Sequence, residues 1–300
     1  MEIPPCPSIS CSLSVSGRPS GQTVRAGYYR NRILRRKIQR YRCKICGTHY
    51  SSQTHHPTYY QKRPDLNPKI RDLLCSQVSQ RRSARLLGVS RRTVVKKFRF
   101  MARLASIENE KRLHELALTR VNDIQFDDLI TSIHTKCKPV SVSLAVNGKT
   151  REILGFQVSD LPARHPLVEV ALAKYGQRKD ERPFGLGRLF TALSRIVNEK
   201  AKVVSDCDPE YPGFVSKHLP TAHYERIKSR RARSQGFGEL KRIGFDPIFS
   251  LNHTCAMLRA NLNRLARSTW ATSKTKIGLI QHLELYAHYH NTNLIERDAV

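Results

Sequence analysis

In a chain with 53 Lys+Arg against 24 Asp+Glu, carboxylates that gather at two points stand out. Asp127 and Asp128 close a stretch in which Ile124 and Phe126 alternate with polar residues, and Asp206 ends the short apolar run Lys202–Ser205, with Asp208 two residues on. Aspartates at the ends of neighbouring strands can meet at one edge of a sheet. Two such carboxylates repel unless a cation joins them, and hard oxygen donors suit Mg²⁺ or Mn²⁺. Two divalent ions ~3.5–4 Å apart serve phosphodiester hydrolysis and transfer: one activates the attacking oxygen, the other stabilises the leaving oxygen. The plainer role of these aspartates is in turns and helix caps. A second group is sulfur. Cys43-Lys-Ile-Cys46, followed by Gly47, places two thiolates on a turn that can grip one metal at tetrahedral angles. Cys6 and Cys11 are the nearby partners, and four thiolates would make a structural Zn²⁺ site holding a segment too poor in apolar residues to fold alone. Cys75, Cys137, Cys207 and Cys255 stand singly and read as small core or boundary residues.

Elements must position these groups. Residues 1–60 are rich in Pro, Ser, Gly, Arg and Tyr and show no helical period. From 67 to 120 apolar residues recur at helical spacing, as in Ile70, Leu73, Leu74 and Val78. Within that segment, Ser79 to Val95 reads as a helix-turn-helix. Ala84 sits where two helices approach closely, Gly88 where the turn wants a positive φ, Ser90 as an N-cap and Val94 as the contact back to the first helix. The second helix carries Arg91, Arg92, Thr93, Lys96, Lys97 and Arg99, and the first carries Arg81 and Arg82. Basic and hydroxyl groups at a helix N-terminus are what the major groove of DNA admits. After Asp123 the pattern turns to strands. Val140–Val146, Asn147-Gly148 and Thr150–Val158 predict a hairpin with a tight turn. Residues 165–199 predict helix starting near Pro166, Ser250–Arg267 a strong helix and Ile277–His290 another. The row Arg259, Arg264 and Arg267 on the helix from Ser250 suits DNA phosphates, and Trp270 reads as that helix's anchor.

Composition agrees. A net charge of +29 needs a polyanion to offset its self-repulsion, and a hydrophobic fraction of 39% is enough for a core. Apolar runs have strand length, well short of a membrane span, and the N-terminus lacks the pattern of a signal peptide. The expectation is an intracellular chain with reduced cysteines, which excludes a membrane protein, a secreted scaffold and an enzyme acting on small cations.

The order of these parts resembles the bacterial insertion-sequence DDE transposases, most closely the insertion-sequence-one group. Phe126-Asp127-Asp128 with Lys136 is similar to that group's first catalytic segment, and Ser205-Asp206-Cys207-Asp208-Pro209-Glu210-Tyr211 to its second. Leu258-Arg259, Arg264-Leu265, Arg267 and Ser273-Lys274 are similar to its C-terminal helix and tail. The resemblance implies a multi-domain protein: a zinc-ribbon-like module over 1–60, an all-α helix-turn-helix domain with a linker helix over 61–122, and an α/β ribonuclease-H-like DDE catalytic domain with basic C-terminal helices over 123–300. It implies Mg²⁺ or Mn²⁺ on Asp127 and Asp206, with Lys136 on DNA. Its third acid falls on Asn252. Glu239 offers a carboxylate at a spacing used in the wider superfamily, and the preference of a hard metal pair for a third charge ranks it ahead of Asn252. The implied activity is binding of terminal inverted repeats in double-stranded DNA, strand cleavage and strand transfer, with self-association on DNA, in the bacterial cytoplasm at the nucleoid. The alternative is a non-catalytic DNA-binding regulator or domesticated remnant, which Asn252 keeps open. A structure-selective nuclease and an RNA-binding protein with a zinc arm are further rivals.

Overall fold

The computed structural model describes residues 3–12, 22–228, 246–266 and 270–295. The chain divides into two compact units, Met1–Lys69 and Ile70–Val300. The division lies beyond the expected end of the cysteine module. The second unit holds the helices from Gln80 onward together with the five-stranded sheet.

In the first unit, strands β1 (Thr23–Asn31), β2 (Arg36–Cys43) and β3 (His49–Ser51) form an antiparallel sheet in the order β1-β2-β3. Its core is small: Tyr41, Tyr50, Cys6, Cys11 and Cys43 are the buried residues of one cluster. Tyr50 donates its hydroxyl to the Pro4 carbonyl at 2.7 Å, pinning the N-terminal arm against the sheet.

Helix α1 (Leu66–Leu74) crosses the division. In the second unit, α2 (Gln80–Leu86) is capped by Ser79 and α3 (Arg91–Thr119) by Ser90, whose side chain accepts from the Thr93 N–H at 3.1 Å. Between them Gly88 has φ +61°, the left-handed region that a side chain disfavours. Ala84 and Val94 are buried where the two helices meet. At 1.5 Å per residue, α3 is roughly 44 Å long. Its far end delivers Leu116 to the core of the sheet, so the helical segment is continuous with the α/β part.

The second sheet is built from β4 (Val121–Ser132), β5 (Pro139–Asn147), β6 (Ile153–Asp160), β7 (Val197–Ser205) and β8 (His223–Arg226), in the order β6-β5-β4-β7-β8. β5 runs antiparallel to both β4 and β6, while β4, β7 and β8 are parallel. Helices α4 (Val168–Tyr175) and α5 (Arg182–Leu193) make the crossover from β6 to β7, α6 (Tyr211–His218) joins β7 to β8, and α7 (Phe249–Asn261) and α8 (Lys276–Tyr289) follow. Leu186, Leu189, Phe190 and Leu193 of α5 pack on Phe126 of β4 and Tyr211 of α6. Phe126 meets both aromatic rings edge-on, at 5.0 and 4.8 Å between centroids, a favoured aromatic geometry.

Several expected elements differ. The 165–199 helix is two helices followed by the start of β7, which begins at Val197 instead of Lys202. The hairpin turn is a longer loop: Asn147 Oδ1 accepts from the backbone N–H groups of Lys149 and Thr150 and delays β6 to Ile153. The helix from Ser250 stops at Asn261 instead of Arg267. Trp270 is fully exposed and anchors none of the described elements. Cys207 is exposed as well, whereas Cys75 and Cys137 are buried as expected.

Where α3 packs on α8, His282 is buried between Phe98, met edge-on at 5.5 Å, and the Leu74 carbonyl, 3.0 Å from its Nε2. A carbonyl only accepts, so Nε2 carries the proton. Burial, aided by the charge of Arg264, holds the imidazole neutral with its pKa pushed down to about 3. The unfolded chain binds this proton near the ordinary value of ~6.5. Stability from this group is therefore complete above pH ~6.5 and falls by about 1.4 kcal/mol per pH unit as pH drops from there toward 3. Urea unfolding of the wild type and of His282→Gln across pH 4–8 checks this, because the difference between the two curves isolates the histidine. The variant is expected to gain on the wild type as pH falls, and parallel curves would contradict the assignment.

Candidate functional site

The acid pair is set by strand register. β4 and β7 pair in parallel up to Gln125↔Val204, so Asp127 and Asp206 each lie two residues beyond the last shared rung. Neighbouring strands lie ~4.8 Å apart, which brings the two carboxylates side by side where the strands part. Asp127 was expected at a strand end. It lies within β4 instead, because β5 continues to pair with β4 as far as Ser132↔Pro139.

Asp127 is half-buried and its pKa is pushed up to about 6, first by burial and then by the charges of Asp206 and Asp128. Its Oδ1 accepts from the Asp128 N–H at 2.7 Å and from the Tyr211 hydroxyl at 3.3 Å. Burial and the surrounding aspartates hold the Tyr211 phenol well above its ordinary pKa, so it remains a donor. Asp206 Oδ1 accepts from the Asp208 N–H at 3.0 Å, which fixes the turn after β7.

Asp128 points to the opposite face of the strand from Asp127. It accepts from Ser141 at 2.7 Å and from Ser143, and Arg182 Nη1 lies 3.5 Å from it. Arg182 also pairs with Asp208 at 3.1 Å and Glu210 at 2.8 Å. One guanidinium at the start of α5 therefore bridges three carboxylates that flank the acid pair and offsets part of their charge. Asp128 and Asp208 are held in this network as structural groups. Sequence reading missed Arg182, which is distant along the chain from all three partners and carries no local motif.

Helix α7 covers the face of β4 that carries Gln125 and Asp127. Gln125 Oε1 accepts from the Leu251 N–H at 3.0 Å, and its Nε2 donates to the Pro247 carbonyl. Cys255, nearly two turns into α7, feels the charge of Asp127, although burial is the main cause that pushes its thiol up to about 12. Asn252 is on this helix, exposed, and donates through Nδ2 to Asp246 Oδ2 at 2.7 Å. It acts there as a brace for the turn before the helix. Glu239 lies outside the described residues. Among the described residues, no third carboxylate, histidine or thiolate joins Asp127 and Asp206 in a cluster tight enough to share an ion.

The four N-terminal cysteines do form such a cluster: the Sγ atoms of Cys6, Cys11, Cys43 and Cys46 lie within 4.8 Å of one another. Cys6 and Cys46 are 3.5 Å apart, Cys11 and Cys43 3.8 Å. Four sulfurs at a Zn–S distance of ~2.3 Å in a tetrahedron would be about 3.8 Å apart, so the set is compatible with a structural zinc ion. Gly47, with φ +72°, closes the turn after Cys46, and its N–H donates to the Cys43 carbonyl at 3.0 Å.

The basic candidates separate into two groups. Arg81, Arg82, Arg91, Arg92, Lys96 and Arg99 are exposed on α2 and the first turns of α3, and Thr93 is half-buried beside its cap. Lys136 is exposed in the turn between β4 and β5. Lys97 is buried and is not on the exposed basic face. Arg259 is half-buried on α7. Arg264 lies past the helix end and turns inward, donating to the Gly278 carbonyl at 3.0 Å and stacking 5.6 Å over the Phe98 ring. Arg267 lies outside the described residues. The expected arginine row is therefore not a single surface.

No helix among the described residues is long and apolar enough to cross a membrane. Compared with known proteins, the chain matches no family model and no curated sequence, so the functional reading rests on the chemistry of the two sites.

Proposed function

We propose that this protein binds double-stranded DNA and cuts and rejoins its strands as a DDE-type transposase, with a zinc-ribbon-like module, a helix-turn-helix and a ribonuclease-H-like core. The observation that carries the reading is the strand register that sets Asp127 beside Asp206 where β4 and β7 part. The sheet order β6-β5-β4-β7-β8 with β5 reversed supports the ribonuclease-H-like assignment.

The donor set suits a hard divalent cation. A carboxylate with its pKa raised by burial and by neighbouring negative charge gains most when a cation takes the place of its proton. Asp127 and Asp206 would hold Mg²⁺ or Mn²⁺, with Glu239 or Asn252 as third donor. Bound there, the metal would supply an activated water and charge stabilisation at the phosphorus. Both hydrogen bonds to Asp127 go to Oδ1, leaving Oδ2 to serve the cation. Tyr211 orients Asp127, and Arg182 holds Asp128 and Asp208 in ion pairs beside the acid pair, where the remaining excess of negative charge also favours a cation. The exposed basic face of α2 and α3 would hold the duplex by its phosphates, and terminal inverted repeats are the expected ligand. Incubating the protein with end-bearing duplex and Mg²⁺ tests the reading: nicked and joined products support it, and intact DNA in every divalent metal rejects it.

The bracing of Asp246 by Asn252 favours a second reading, a DNA-binding remnant that no longer cuts. Duplex binding without metal-dependent nicking would select it.

For the cysteine cluster, one zinc per chain is expected. Its removal should unfold the first unit, whose small buried cluster consists largely of the ligands themselves. Elemental analysis together with circular dichroism before and after chelation checks this. A metal-free chain that kept its β signal would contradict it.

A further inference from the structure

Helices α5 and α6 leave between them a groove of about 520 Å³ that the acid site does not use. This size lies within the roughly 300–1,000 Å³ of ligand clefts. Phe184 stands at its mouth, 71% exposed, with the Arg188 guanidinium 6.0 Å from its ring centre. Phe214 contributes to the lining and stacks on Phe190 at 6.2 Å and 17°. Arg188, Arg195 and Lys217 are exposed along it, and none of the described residues lining it is acidic.

We infer that this groove binds single-stranded DNA, holding unpaired bases on Phe184 and the phosphates on Arg188, Arg195 and Lys217. On a duplex the base faces are hidden by stacking, so an exposed phenylalanine reaches them only by wedging a base step open, at a cost in unstacking. An unpaired base offers its π-face, and stacking on an aromatic side chain with an adjoining arginine is how single strands are held. Placement agrees with this occupant. The two walls start at the acid site: α5 begins at Arg182, which pairs with Asp208, and α6 begins at Tyr211, which donates to Asp127. A strand opened beside the acid pair would run along the groove. The binding chemistry rests on the groove's own side chains, and the choice of DNA over RNA rests on the function proposed above.

The test is fluorescence anisotropy on the full chain with a single-stranded oligonucleotide, the same sequence as duplex, and its RNA counterpart, in the absence of divalent metal. Phe184→Ala is expected to weaken single-strand binding about tenfold while duplex binding moves less than twofold, and Phe184→Trp is expected to restore the loss. Because Phe184 is exposed, an unchanged unfolding midpoint separates this loss from misfolding. Unchanged single-strand affinity, or an equal loss on duplex, would overturn the proposal. Tighter binding of the RNA would overturn its assignment to DNA. Binding is read without cleavage, so a protein that holds single strands here but never nicks DNA would refute the enzyme and leave the groove standing.

Discussion

Arg182→Ala is expected to destabilise the second unit by about 3–5 kcal/mol, because it strands buried charge. The Arg182 side chain is 12% exposed and that of Asp128 6%. Removing the guanidinium leaves Asp128, Asp208 and Glu210 facing one another beside the acid pair. For a unit of this size the loss corresponds to a fall in Tm of roughly 10 °C. Arg182→Lys should recover only part of it, since a single ammonium replaces a planar fork that reaches three carboxylates. Thermal unfolding of the two variants checks the order wild type, then Lys, then Ala. An alanine variant within about 1 kcal/mol of wild type would show that solvent already screens these charges.

The second large effect belongs to the acids. Asp127→Asn and Asp206→Asn should each reduce metal-dependent strand cleavage by more than about a thousandfold. Loss of an outer partner of a metal ligand already costs ~10–100-fold, and loss of a charged ligand removes part of the ion's binding site as well. Duplex binding should persist in both variants, since the exposed arginines of α2 and α3 are untouched. The proton on Asp127 adds a pH signature. With its pKa raised to about 6, the carboxyl is mostly protonated below that value and must lose the proton to take a cation. A cation competes with that proton, so cleavage is expected to fall off on the acid side, with a midpoint that moves lower as Mg²⁺ is raised. Cleavage gels for each variant over pH 5–8 check both effects, and an aspartate variant with wild-type rates would remove the site from the chemistry.

Parts of this arrangement are legible in the sequence because they depend on local rules. Ser90 and Gly88 mark the turn between α2 and α3, since a cap oxygen and a positive φ are local needs. Cys43, Cys46 and Gly47 mark a metal-type turn for the same reason. The alternation of Val140 to Val146 marks a strand, though the side chain of Asn147, by capping the loop, displaced the start of its partner. Asp127 and Asp206 stand out as acids in a basic chain. What was not legible depends on tertiary partners. Lys97 falls on the same stripe as Val94, Phe98 and Met101, and its aliphatic stem lets a charged residue enter a packed face. Arg264 looks like a phosphate ligand until Phe98 and the Gly278 carbonyl receive it. Arg182 has no signature, because its meaning comes from three carboxylates delivered by β4 and the turn after β7. The third donor of the acid site is unassigned for a related reason: Asn252 is occupied with Asp246, and Glu239 lies outside the described residues.

The central claim, that Asp127 and Asp206 jointly hold a divalent cation, is tested most directly by titrating Mn²⁺ into the zinc-loaded chain and following free Mn²⁺ by electron paramagnetic resonance. The soft thiolate cluster offers little to this hard ion, so the wild type should remove Mn²⁺ from solution with a saturable site that Mg²⁺ displaces. The Asp127→Asn, Asp206→Asn double variant should leave the free signal unchanged. Equal binding by the two proteins would contradict the claim.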